Sequence, residues 1–294
     1  MAGNNVYQLV TDRIIEQLEQ GIIPWQRPWH GVIDGAISYT SRRPYSFLNQ
    51  MLLGEAGEYL TFNQIQALGG KIKKSAKAKM VVFYKMVKKK YMKPKKDTDP
   101  NNPELEKVVS ITPMLRYYNV FHLNDTEGIE SKMDKTPENN VNPIEKAEDI
   151  INTYVGRETL KFVSKPSNRA YYSSAFDEVV VPLISQFDIA EEYYSTSFHE
   201  LVHSTGHPRR CNRDECKVVH FGSNDYSKEE LCAEIGSAMM LNIVGIDTSK
   251  TFKNNIAYLQ GWLRALKSDN RFIVSASSKA EKAVKYILGE ITEQ

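Results

Sequence analysis

The chain has 294 residues, 38 Lys+Arg against 36 Asp+Glu and a net charge of +2, long enough for two domains. No run of about 18 apolar residues is present to span a membrane and no N-terminal apolar run resembles a signal peptide, so a cytoplasmic protein with no membrane partner is expected. The charge is unevenly placed: residues 1–123 hold 18 Lys+Arg against 10 Asp+Glu, and the remainder 20 against 26, which points to different partners for the two halves.

Residues 5–20 read as an amphipathic helix, with Val6, Leu9, Val10, Ile14 and Leu18 at helical spacing, Gly21 at its end and Pro24 beyond. Ile23-Pro24-Trp25-Gln26-Arg27-Pro28-Trp29-His30 is stiffened by proline and should be neither helix nor strand. Rings flanked by cations suit stacking on bases; the plainer alternative is that Trp25 and Trp29 cap the hydrophobic core. Arg42 and Arg43 fall in a turn beside Tyr45, ahead of a helix around 46–54. Thr61 is a suitable N-cap for a helix over 62–68, which Gly69-Gly70 ends.

The stretch from Lys71 to Lys96 carries twelve lysines and no acid. Within it, residues 80–85 read as a buried strand that pairs with a second strand near 109–121. The pair forms a long hairpin with a charged tip at about 89–106. Many lysines on one face attract phosphates, an attraction that falls steeply with salt, and nearby aromatics add stacking on unpaired bases. The reading taken is binding of an unpaired nucleic-acid strand through Trp25, Trp29, Arg42, Arg43, Tyr45, Lys71, Lys73 and Lys74. The alternative is a solvated lysine-rich loop.

Residues 124–144, rich in Asn, Asp, Thr and Glu with Pro137 and Pro143, read as a linker. A helix then runs from Glu145 to Tyr154. Short strands follow near 160–163, 171–173 and 178–182, then a helix over 188–206, one beginning at Glu229, and amphipathic helices over 258–266 and 275–288. The expected fold class is α+β in two domains: a basic domain over 1–123 and a second domain over 145–294.

The chemistry concentrates in His199-Glu200-Leu201-Val202-His203, which reads H-E-x-x-H. Positions four apart share a helix face, so His199 and His203 can present two imidazoles to one metal ion. Glu200 can reach a water on that ion and act as general base. Zn2+ fits such nitrogen and carboxylate ligands, with Mn2+ as another divalent choice. The third ligand decides the subclass. The register of a third histidine falls on Arg209, and His207 lies off it, as a surface or pocket histidine. The helix at Glu229-Glu230-Leu231-Cys232-Ala233-Glu234 offers a better source, because Glu230 and Glu234 lie one turn apart. Glu230 is assigned as ligand and Glu234 as the carboxylate that orients a ligand histidine; the reverse assignment stays open. Tyr226 and Tyr194 are candidates to stabilise a developing oxyanion. Cys211, Cys216 and Cys232, odd in number, read as free thiols, and a single C-x4-C is a weak metal motif.

Taken together, Ile23-Pro24-Trp25 with Pro28-Trp29, Arg43-Pro44-Tyr45 with Asn49, Tyr59 to Gln64 ahead of Gly69-Gly70, His199 to His207 and Glu229 to Gly236 resemble the ArdC-type antirestriction proteins. The resemblance covers nearly the whole chain apart from the linker and hairpin tip. It implies an N-terminal domain that binds single-stranded DNA, a C-terminal zincin-like metallopeptidase domain, and a role on plasmids and other mobile elements in protecting incoming DNA from restriction enzymes. The rival readings are a DNA-associated regulatory peptidase that cleaves a repressor, and a DNA-binding protein whose zincin domain is inert.

Overall fold

The structure is a computed structural model and describes residues 3–25, 35–94, 105–133, 142–213, 224–247, 251 and 256–291. In chain order the elements of the N-terminal half are α1 (Gly3–Glu19), β1 (Ala36–Ser38), α2 (Phe47–Leu53), β2 (Gly57–Thr61), α3 (Phe62–Ala67), β3 (Lys71–Ile72), β4 (Lys79–Pro94), β5 (Leu105–His122) and β6 (Thr126–Glu127). Those of the C-terminal half are α4 (Pro143–Glu158), β7 (Lys161–Ser164), β8 (Tyr171–Ser173), β9 (Glu178–Val181), α5 (Ala190–Ser204), α6 (Asn224–Val244), α7 (Ile256–Ser268) and α8 (Phe272–Ile287). The fold is thus α+β.

Local chemistry explains the boundaries. Val6, Val10, Ile14 and Leu18 recur every four residues, stack on one face of α1 and are all buried, while Leu9 at the stripe's edge stays exposed. Gly21 takes φ +77° and lets the Ile22 N–H reach the Gln17 carbonyl at 2.9 Å, which closes α1. α3 opens with a reciprocal cap. The Gln64 N–H donates to Thr61 Oγ1 at 3.3 Å, and the Thr61 N–H donates to Gln64 Oε1 at 2.8 Å.

One sheet has the order β1-β2-β5-β4, parallel between β1 and β2 and antiparallel elsewhere. The β4–β5 pairing runs from Lys79↔Val120 to Pro94↔Leu105, well into the stretch expected as a charged tip. Residues 95–104 lie outside the described residues. Only the base of this ribbon is buried, through Val81, Val82, Leu115 and Val120.

Much of the stretch expected as a linker carries structure. β6 pairs with β3, and Ile129 packs beside Leu60 and Ile65. Buried Glu58 accepts hydrogen bonds from Ser131 Oγ at 2.7 Å and from the Lys132 N–H at 3.1 Å. Ser131 and the Lys132 backbone thus satisfy a buried carboxylate, while the side chains of Glu127, Glu130 and Lys132 stay exposed. α4 begins at Pro143, one residue after Asn142, whose side chain accepts from the Ile144 N–H at 3.0 Å. Residues 134–141 lie outside the described residues.

In the C-terminal half, β9 sits between β7 and β8, parallel to the first and antiparallel to the second. Val179, Val180 and Val181 are fully buried beneath α5, and α6 packs between α5 and α8. The core does not stop at the boundary between halves. One hydrophobic cluster joins Val10, Ile14, Trp25 and Met51 to Phe198, Leu231, Trp262 and Ile273. Polar contacts add to it: Thr11 Oγ1 donates to the Asn270 carbonyl at 2.9 Å, and Lys267 pairs with Glu19 at 2.7 Å.

Candidate functional site

α5 places His199 and His203 one turn apart, and their Nε2 atoms lie 3.1 Å from each other. α6 crosses α5 and brings Glu230 to both, with carboxylate oxygens 3.6 Å from His199 Nε2 and 3.5 Å from His203 Nε2. One ligand atom from each of His199, His203 and Glu230 lies within 4.8 Å of the others, a span one ion can bridge.

The crossing depends on Gly236. A Cβ there would sit 2.7 Å from Val202 Cγ2, and the β-branched valine has little freedom to move aside. The missing side chain lets α6 approach closely enough for its acids to reach α5.

A second ring of contacts surrounds the three. Glu229, not singled out by the spacing argument, places Oε1 at 3.1 Å from His203 Nδ1. Arg213 holds Glu229 from behind with Nη2 at 2.5 Å and Nε at 2.9 Å, and also donates to the Val202 carbonyl at 2.8 Å. Glu229 and Arg213 are buried, yet the hydrogen bonds from His203 and Arg213 outweigh the burial and hold the Glu229 carboxyl down at about 2. It is therefore a carboxylate fixed against an imidazole, the arrangement that sets a ring's tautomer and orientation. Glu234 plays a looser part, 3.9 Å from His199 Nδ1, and burial pushes its carboxyl up.

Glu200 is buried beside His199. Burial alone would lower His199, but the bond to Glu230 and the charges of Glu234, Glu200 and Glu230 push it up to about 10. Several acids thus converge on two imidazoles, and a divalent cation would balance that charge.

The other expected residues fall into place as follows. His207 accepts from the Arg209 N–H at 3.2 Å and stands apart from the three-residue group, and Arg209 is exposed and pairs with Asp177 at 3.3 Å. Tyr194 is buried and donates to Glu148 at 2.8 Å, which corrects its candidacy as an oxyanion partner. The side chain of Tyr226 lies outside the described residues, as does Cys216. Cys211 and Cys232 are buried thiols.

Among the residues expected to hold DNA, Trp25 is a correction. It is fully buried and packs edge-to-face on Trp262, ring centroids 5.1 Å apart, so it belongs to the core. Trp29 lies outside the described residues. Arg42, in a left-handed turn at φ 57°, pairs with buried Glu58 and donates to the Lys132 carbonyl at 3.1 Å, a structural role. Arg43, Lys71 and Lys74 are exposed, and Lys73 reaches the Asn124 carbonyl at 2.7 Å. Tyr45 is half-buried between Tyr59 and Phe83.

Comparison with known proteins finds a match for each half of the chain. Residues 4–121 match the N-terminal domain of anti-restriction factor ArdC, and residues 146–279 match a zincin-like metallopeptidase. A protein named DNA primase TraC from Escherichia coli is 30% identical over 96% of this chain, which spans only 27% of that protein's length. Two crystal structures of the antirestriction ArdC protein from R388 plasmid are each 28% identical with a TM-score of 0.72. The metal-free one is covered to 99% by 98% of this chain, and the Mn(II)-bound one to 97% by 96%. No helix among the described residues is long and apolar enough to cross a membrane. From its two matched halves and the overlay along nearly its full length, the chain belongs to the ArdC-type proteins, with an ArdC N-terminal domain followed by a zincin-like metallopeptidase domain.

Proposed function

We propose that this chain is a cytoplasmic antirestriction protein of a mobile element such as a plasmid. In this reading residues 1–123 hold single-stranded DNA and residues 145–294 form a metal-dependent peptidase. The observation that supports the peptidase half is the convergence of His199, His203 and Glu230 from two helices, and in this reading those three are the ligand set. Two imidazoles and a carboxylate suit zinc, and the Mn(II)-bound crystal structure of the R388 protein supports manganese as an alternative. When bound, a divalent cation supplies Lewis acidity toward water and a peptide carbonyl. Glu200 takes the proton of the attacking water and returns it to the departing amine. Glu229, backed by Arg213, keeps the His203 ring turned toward Glu230, and Glu234 does the same more loosely for His199. The outer strands β7 and β8 offer an extended peptide an edge to pair with.

Two relatives, an antirestriction protein and a DNA primase, bear names that fit work on DNA. The candidate protein substrate is a restriction enzyme met by incoming DNA. The test is Glu200→Gln, measured as survival of plasmid DNA entering a restricting host and as loss of the intact restriction protein. Protection and cleavage should both fall. Protection at the unaltered level would remove proteolysis from the mechanism and leave DNA coating to act by itself. Cleavage of a repressor with the restriction protein left intact would favour a regulatory peptidase.

A further inference from the structure

Resting on the single-stranded DNA reading above, we propose that the strand binds one face of the β4–β5 ribbon, stacking its bases on Phe83 and Tyr118. Directly opposed residues of an antiparallel pair share a face. The register Val81↔Tyr118, Phe83↔Arg116 and Lys85↔Met114 puts the two rings and the two cations on the same side. Further out, Lys89↔Ser110 and Tyr91↔Val108 continue that side with another cation and another ring.

The rings are not isolated. Centroid separations of 6.3 Å (Tyr59–Tyr45), 6.1 Å (Tyr45–Phe83) and 6.0 Å (Phe83–Tyr118) form a ladder from a fully buried ring to two rings 46% and 44% exposed. The inner rungs sit in the core with Val81 and Val120, so the outer rings are held in place before any ligand arrives. Exposed rings beside exposed Arg116 and Lys85 suit a ligand with both flat apolar faces and negative charge, which is an unpaired nucleic-acid strand. Lys79 is engaged with Glu55 at 2.9 Å and adds little to this charge. The opposite face is less available at its base, where Tyr84 meets Tyr7 of α1 at 3.2 Å. Trp25 is buried and closed to stacking, whereas Phe83 and Tyr118 are exposed.

The experiment is fluorescence anisotropy of the full chain with labelled oligothymidine of about 20 nucleotides and with a duplex of equal length, across a range of salt. Phe83→Leu with Tyr118→Leu should weaken single-strand binding by about tenfold or more while leaving the salt slope unchanged. Lys85→Gln with Arg116→Gln should flatten the slope of log K against log salt by about 1.4, the contribution of two phosphate contacts. Phe83→Trp should bind as tightly as the unaltered chain or more so. If the unaltered chain prefers the single strand and the leucine pair binds equally well, the ribbon face is wrong while the DNA reading stands. If the unaltered chain shows no preference for the single strand, both fall. If a melt shows the leucine pair unfolded, the glutamine pair decides, and an unchanged slope overturns the proposal. A leucine pair that changes only the sedimentation of the chain makes this face a contact between copies and overturns it too.

Discussion

At the scale of single residues, the buried run Arg213–Glu229–His203 is the contact that spacing did not expose. Glu230 and Glu234 stand out in the sequence because they are one turn apart, whereas Glu229 points elsewhere around the helix. It matters because α5 crosses α6 in a way that only the packed structure reveals, and Arg213 comes from a stretch with no periodic signal. Outer carboxylates of this kind affect metal affinity by about 10–100-fold. Glu229→Gln should therefore weaken metal retention by that order in a chelator competition, and should also lower the melting temperature of the metal-free chain, because buried Arg213 loses the charge of Glu229; equal retention would make Glu229 a packing residue only. A second residue-scale prediction concerns Asp177, hydrogen-bonded by Arg210 at 2.8 Å and by Tyr172 at 2.9 Å. Burial alone would raise its carboxyl, but those bonds outweigh it and hold the group below the usual aspartate range. A carboxyl depressed by folding adds stability that is complete above its unfolded value of about 3.9 and is lost as the pH falls through its folded value. Melting temperature against pH should therefore fall on the acid side, and Asp177→Asn should flatten that limb while lowering stability at neutral pH, because buried Arg210 loses a partner. An acid limb of the same steepness in the variant would remove Asp177 from the account.

At the scale of elements, apolar periodicity was the legible signal and side-chain partnership the illegible one. The four-residue recurrence in α1, the Thr61 cap of α3 and the short valine strand β9 could all be read in order along the chain. The segment 126–133 could not, because most of its polar residues are exposed and its tie to the fold is the bonding of Ser131 and the Lys132 backbone to buried Glu58. The ribbon extends beyond its expected length because strand pairing continues after burial ends, where hydrophobic alternation no longer marks it. The contact between α5 and α6 gives the element-scale prediction. Gly236→Ala puts a methyl into Val202, and overpacking of this kind costs about 1–3 kcal/mol. The variant should melt several degrees lower and retain metal less well, since Glu229 and Glu230 ride on the displaced helix. Unchanged melting and unchanged metal retention would show that the crossing tolerates a wider spacing.

At the scale of the whole molecule, the unequal charge of the two halves was visible in the sequence and their shared core was not. Trp25 and Trp262 are more than two hundred positions apart, and no local pattern announces that they touch. A hydrophobic cluster spanning both halves predicts that the chain unfolds in one calorimetric transition, and that Trp25→Ala, costing about 3–5 kcal/mol, lowers that single transition. Two separable transitions, with only one moved by the substitution, would contradict the shared core. The functional account, however, turns on the three side chains that α5 and α6 bring together. Its most direct measurement is the metal content of the purified chain, by elemental mass spectrometry, before and after His203→Ala. The account predicts about one tightly held divalent ion per chain and its loss from the variant. A metal content that is the same in both would contradict it.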